Sequence, residues 1–241
     1  MSSPNASGTP VLDVYIGYDR QEIVAYHVLT QSILERVSRP VRFTPISLST
    51  LHGVFDREAL PQQSTDFSFS RFLTPYLSAY AGWSLFMDCD MLARADIAEL
   101  FALADDRYAV MVCQHDYVPR DEVKFLNHVQ TRYAKKNWSS VMLLNNARCR
   151  ALTPSYVETA SGLELHQFHW LADAEAEIGA LPLEWNWLVG EYDASPDAKI
   201  AHFTRGGPYF PEYASCDYAE EWRAVRDGAV SAAGRPVKTP R

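Results

Sequence analysis

Short apolar runs alternate with amphipathic stretches along most of this chain, and the alternation predicts strands and helices in turn. Val11 to Ile16 is an apolar, β-branched run that reads as a first strand, closed by Gly17-Tyr18-Asp19-Arg20. A helix is expected from about Gln21 to Val37, because Tyr26, Leu29, Ile33 and Val37 recur at three- and four-residue steps. Arg39-Pro40 stops it, and Val41 to Ser47 reads as a second strand. Strand, turn, helix and strand form a βαβ opening, as in nucleotide-binding α/β sheets. Ser49 to Thr65 is polar and irregular. Phe67 to Tyr80 is aromatic-rich and reads as helix, starting or kinking at Pro75.

Trp83 to Met87 is a buried-strand pattern that runs into Asp88-Cys89-Asp90, and a helix is expected from Asp96 to about Ala104. Tyr108 to Cys113 is a further strand, ending in the polar cluster Gln114-His115-Asp116-Tyr117. Asn137-Trp138-Ser139-Ser140 leads into a strand over Val141 to Leu144. Leu163 to Trp170 carries His166 and His169 beside Gln167 among apolar residues, where a histidine reads first as a structural, hydrogen-bonded one. An aromatic segment begins at Leu181, and Lys199 to Phe203 is a last short strand carrying His202. Thr204-Arg205-Gly206-Gly207-Pro208 follows as a turn. Residues 1–10 read as a disordered lead-in, 11–230 as a single α/β domain and 231–241 as a disordered tail.

Composition narrows the function classes. With 47% hydrophobic residues over 241 positions, the chain can bury a substantial core. A net charge of −8 argues against nucleic acid as a partner, since phosphate binding needs concentrated Lys and Arg. The four cysteines make no C-x-x-C pair, and Cys89 and Cys113 read as buried thiols. That usage suits a reducing cytoplasm. The start of the chain has no apolar core of a signal peptide, and no run approaches a membrane span, which leaves peripheral membrane contact open. The dinucleotide fingerprint G-x-G-x-x-G and the phosphate-loop sequence are both absent.

The candidate chemistry sits at Asp88 and Asp90. Two carboxylates one residue apart at the end of a buried strand repel one another unless a proton or cation lies between them. Oxygen ligands of this kind suit Mg²⁺ or Mn²⁺ shared with substrate phosphates. The pair alone is weak, since about half of chains this long hold one by chance. Its place at a strand's carboxyl end, where α/β sheets gather ligands, strengthens it. Arg71 is the lone basic group of the aromatic segment. Spacing favours a surface arginine lying over aromatic rings, against a guanidinium that clamps a phosphate or orients the two aspartates.

Taken in order, these pieces resemble retaining glycosyltransferases of family 8, the glycogenin and lipopolysaccharide galactosyltransferase type, or a compact bacterial relative. The resemblance spans about Leu12 to Pro208. It implies a GT-A-type fold: one Rossmann-like nucleotide-binding sheet with helices on both faces. It implies a metal-dependent hexosyltransferase that moves sugar from a nucleotide-sugar donor, UDP-linked, to a saccharide or glycolipid hydroxyl with retention. The metal, Mn²⁺ or Mg²⁺, would be held by Asp88, Asp90 and His202, the last in a late H-F-x-G-type motif. Gly17, Tyr18, Asp19, Arg71, Asp88, Cys89, Gly206 and Gly207 would bind the donor. The two late glycines would bring backbone N–H groups to the phosphates. Gln167, Arg71 and Asp90 would serve the reaction, and His115, Asp116, Trp138 and Ser139 would line the acceptor side.

The chain departs from the family in three places. Asn137-Trp138-Ser139-Ser140 stands for Phe-Asn-Ala-Gly, His166-Gln167-Phe168 for Asp-Gln-Asp, and Gly207-Pro208-Tyr209 for the closing Lys-Pro-Trp. Two other readings compete. One is a haloacid-dehalogenase-type phosphatase, in which Asp88 would be the nucleophile, although its motif normally sits on the first strand. The other is a nucleotide-sugar binding module without catalysis.

Overall fold

Apolar runs bounded by turns become strands, and the first two are joined by a helix. The computed structural model describes residues 10–58, 63–116 and 134–231. The lead-in and tail readings fall on residues outside that set except at their inner ends, as does Tyr117. The elements in chain order are β1 (Leu12–Gly17), α1 (Ile23–Leu34), β2 (Val41–Ile46), α2 (Thr74–Leu77), β3 (Trp83–Met87), β4 (Met91–Ala93), α3 (Ile97–Phe101), β5 (Val110–Cys113) and β6 (Val141–Asn145). Then follow α4 (Pro154–Thr159), α5 (Gly162–His166), α6 (Ala174–Glu177), β7 (Ile178–Leu181), β8 (Trp187–Leu188), β9 (Ile200–His202) and α7 (Ala219–Val230).

Six strands form one sheet in the order β2-β1-β3-β6-β5-β7. β1 pairs in parallel with both β2 and β3, and β5 with β7, while β6 runs against both of its neighbours. This mixed but parallel-rich α/β sheet bears out the expected fold class. β2 lies at the edge, where Pro45 is tolerated because one side of that strand has no ladder to complete. A second sheet of order β4-β9-β8, not foreseen from the sequence, stands beside the first.

The expected long helix over Phe67 to Tyr80 is not formed. A 3₁₀ turn over Ser70–Leu73 leads into the single turn of α2, which starts at Thr74 and takes Pro75 in its first turn, where proline needs no donor. Ala79 and Tyr80, both at positive φ, end it. Phe67, Phe72 and Leu73 are fully buried, so packing rather than helical hydrogen bonding holds this segment. In α1, Leu29 and Ile33 are buried as expected, but Tyr26 is only partly covered, the helix ends at Leu34 short of the partly covered Val37, and the buried stripe turns toward Ala25, Val28 and Ser32. Asp96 caps α3 by accepting from the Ala98 N–H, and the helix ends at Phe101, short of Ala104.

Candidate functional site

The carboxyl ends of β1, β3, β5 and β7 open on one edge of the large sheet. Because β6 is antiparallel, the residues that precede it reach the same edge: Met87 lies opposite Val141. Asp88 follows β3 there, and its N–H donates to the Ser140 carbonyl at 3.0 Å. The chain then turns through Cys89 and Asp90 into β4. Antiparallel pairing of β4 with β9 sets Met91 opposite His202, and the Phe203 N–H donates to the Asp90 carbonyl at 2.8 Å. Asp90 and His202, 112 positions apart, are thus brought side by side by backbone register.

Asp88, Asp90 and His202 each offer one ligand atom, all within 4.8 Å of one another, and all three side chains are buried. His202 Nε2 lies 3.4 Å from Asp90 Oδ1. Two carboxylates and an imidazole in this arrangement fit Mn²⁺, which accepts mixed oxygen and nitrogen ligands, better than Mg²⁺.

Arg71 is not the surface arginine that spacing favoured. It is 5% exposed and donates to Asp88 Oδ1 at 2.7 Å and to the Ser139 carbonyl at 3.0 Å. Its guanidinium carbon stands 5.0 Å from the Phe67 ring centre and 5.3 Å from that of Phe86, so the rings were rightly expected but lie inside. Phe67 also accounts for Gly17, since a Cβ there would come within 2.4 Å of its ring.

The other donor-side residues take more local roles. Both Asp19 oxygens accept backbone N–H groups, from Gln21 at 2.8 Å and Asp66 at 2.9 Å, and burial raises this carboxyl above its usual range. Tyr18 packs edge-on against Tyr26. Cys89 is fully buried, as is Cys113, and burial, then the Glu22 carboxylate, pushes the Cys89 thiol up. The Gly206 N–H donates to the Phe203 carbonyl at 2.7 Å, and a φ of +134° explains the glycine. Gly207 lies under Tyr209, whose ring would be 2.3 Å from an added Cβ. Tyr209 in turn donates to Glu22 Oε1 at 2.6 Å, tying this turn to the start of α1.

On the expected acceptor side, Asp116 is exposed and Trp138 half-buried, its Nε1 donating to the His115 carbonyl at 3.0 Å. His115 itself is buried, with Nδ1 2.9 Å from the Tyr192 hydroxyl. Burial, then nearby His202, pushes its imidazole down to about 3. Ser139 does not line an open surface: it is buried with its hydroxyl 2.7 Å from His166 Nδ1. His166 is thereby the structural histidine expected. Gln167 caps the end of α5, and its carbonyl accepts from Lys135 Nζ at 2.9 Å. Among the described residues, no hydrogen bond joins its side chain to Asp88, Asp90 or His202.

Sequence reasoning missed Asn186, which is wholly buried with Oδ1 2.8 Å from His202 Nδ1. Its only advance signal was an asparagine between two tryptophans in an apolar run. Glu22 and Tyr192 were also missed.

No protein-family model matches the sequence. In fold, the chain is similar to a bifunctional glycosyltransferase, WbbM, with a TM-score of 0.63 and 13% identity over 93% of this chain and 51% of that one. It is also similar to the glycosyltransferase GlyE of Streptococcus pneumoniae TIGR4, at a TM-score of 0.59 and 12% identity over 90% and 60% of the two chains. The galactosyltransferase LgtC, solved with donor and acceptor sugar analogues, gives a TM-score of 0.58 and 12% identity over 94% and 98%. The chain therefore spans about half of WbbM and three fifths of GlyE. These likenesses establish the glycosyltransferase fold. In sequence, the chain is 47% identical over 218 residues to Protein CDI of Arabidopsis thaliana, covering 87% of this chain and 83% of the plant protein. At that identity over that much of both chains, the protein belongs to the family of Protein CDI.

Proposed function

We propose that this protein is a metal-dependent glycosyltransferase that moves a sugar from a UDP-linked donor to a hydroxyl of a saccharide or glycolipid. The observation that carries the reading is the buried trio Asp88, Asp90 and His202 at the ligand-gathering edge of a glycosyltransferase fold. The trio would hold Mn²⁺, which when bound supplies Lewis-acid stabilisation of charge on the departing diphosphate. Asp88 and Asp90 come from one turn and His202 from a distant strand, so the three would fix a bound ion relative to the sheet. Misplacement of about 1 Å at such a centre can cost ~100-fold in rate. Arg71 positions Asp88 and adds positive charge beside the leaving group. Gly17, Tyr18 and Asp19 shape the nucleoside side, and Gly207 leaves room for the turn to close.

His115, Asp116 and Trp138 face the acceptor in this reading, with Trp138 offering an aromatic face to a sugar ring. Retention, with Gln167 near the sugar, is carried over from the family 8 resemblance. Cytoplasmic placement is proposed from the cysteine usage; separately, no helix among the described residues is long and apolar enough to cross a membrane.

The test is release of UDP from a panel of UDP-sugars, with EDTA and with Mn²⁺, alone and with candidate acceptors. Mn²⁺-dependent release that Asp90→Asn and His202→Ala abolish is the expected result, and the anomer of the product reads retention directly. Donor binding without turnover would replace catalysis by a binding module. Hydrolysis of p-nitrophenyl phosphate in place of transfer would favour a phosphatase.

A further inference from the structure

His202 can offer a metal only the nitrogen that carries no proton, and a neutral imidazole can place its proton on either one. Asn186 decides which. This side chain ends the 3₁₀ turn Leu183–Asn186, just before β8, and is fully buried. Its terminal groups face three atoms: the Asn137 carbonyl at 3.2 Å, Ser140 Oγ at 3.0 Å and His202 Nδ1 at 2.8 Å. A backbone carbonyl can only accept, so the amide group turned toward Asn137 and Ser140 must be the NH₂. Ser140 Oγ is free to accept because its own proton goes to the Asn137 carbonyl at 2.6 Å. The amide oxygen is left facing His202 Nδ1. Since that oxygen can only accept, Nδ1 must carry the hydrogen. The lone pair is then on Nε2, the nitrogen 3.4 Å from Asp90 Oδ1.

We infer that Asn186 is a positioning residue that locks His202 in the Nδ1–H tautomer and so presents Nε2 as the third ligand, an inference that rests on the metal reading above. A hydrogen bond from the far ring nitrogen is the usual means of fixing a ligating histidine. The 3₁₀ turn Trp138–Ser140, which meets Asn186 through Ser140, serves the other ligand. The Ser140 carbonyl holds the Asp88 N–H, and the Ser139 carbonyl holds Arg71, which grips Asp88. Residues 137–140 thus hold Asp88 directly and His202 through Asn186. Asn137, Ser139 and Ser140, beside the acceptor-facing Trp138, form a scaffold for the metal centre in this inference.

The tautomer can be read without metal, substrate or turnover. Protein labelled with ¹⁵N-histidine is examined in EDTA at pH 8 by long-range proton–nitrogen correlation, with the His202 signals assigned from His202→Gln. Wild-type protein should show the proton on Nδ1 of His202. Asn186→Leu, which removes the acceptor at similar size, should release the tautomer and weaken Mn²⁺ binding, read by electron paramagnetic resonance of the free ion, by about 10–100-fold. Asn186→Asp keeps an acceptor at Nδ1, and the Ser140 hydroxyl can turn to meet its second oxygen, so it should stay closer to wild type than Asn186→Leu in both readouts. A proton on Nε2 in the wild type overturns the inference even if no variant folds. So does wild-type Mn²⁺ affinity in a folded Asn186→Leu. Wild-type protein with the Nδ1–H tautomer but no Mn²⁺ uptake supports the assignment and overturns the metal reading instead.

Discussion

Arg71 and Asp88 form a 2.7 Å pair with both side chains buried, so neither charge can be removed without exposing the other to a poorly solvating interior. Arg71→Ala should therefore destabilise the metal-free protein by about 3–5 kcal/mol as well as slow turnover. A cation at the site can take over part of the neutralisation. Thermal unfolding in EDTA and in Mn²⁺ should show a larger rise on adding the ion for the variant than for wild type, and an equal rise would detach Arg71 from the site. His166 supplies a pH effect at the same scale. Burial, then the Arg71 charge, pushes its imidazole down to about 3, while the unfolded chain titrates near 6.5. The unfolded state takes up the proton first, so stability is full above about 6.5 and falls as pH drops from there toward 3. His115 acts in the same direction. His166→Gln removes one of these titrations, so its urea midpoint should fall less between pH 7 and pH 5 than that of wild type.

Between residues and the whole chain, the β1–α1 turn shows how one packing contact shapes the site. Gly17 ends β1 directly under Phe67, which also carries Arg71 over its ring. Gly17→Ala should force Phe67 aside and cost about 1–3 kcal/mol by overpacking, with a loss of UDP affinity if the shift reaches Arg71. Calorimetric titration of UDP beside a denaturation curve separates the two effects. The pairing of β4 with β9 is the other decisive element. A slip of one residue there would turn His202 to the opposite face, because side chains alternate along a strand. β1, α1, β2 and β3 were legible in advance because alternation and helical spacing are local signals. The aromatic segment, expected as helix with a start or kink at Pro75, is α-helical only over Thr74–Leu77, because tertiary burial of Phe67, Phe72 and Leu73 overrides the pattern before the proline.

For the whole molecule, an ion bound only by the folded state must raise its stability. At 100 times its dissociation constant, Mn²⁺ should add about 2.7 kcal/mol, or roughly 5–10 °C in Tm for a chain of this size. Asp88→Asn, Asp90→Asn and His202→Ala should each lose most of that rise. Should all three keep it, the ion binds elsewhere and the trio is only a buried polar cluster.

Local sequence was enough for the α/β class and for two aspartates at a strand's end, and the family 8 resemblance pointed to His202 as their partner. The first two rest on spacing within one segment and on the order of segments, and a linear chain displays both. Distance was beyond it. Nothing local tells that residues 91 and 202 share a register, that Arg71 lies inside rather than outside, or that Asn186 faces an imidazole 16 positions on. Those facts arise where the second sheet docks beside the first and strands distant in sequence meet. There, buried polar groups must find partners among whatever the fold brings near, and the selection becomes visible only once the chain has closed on itself.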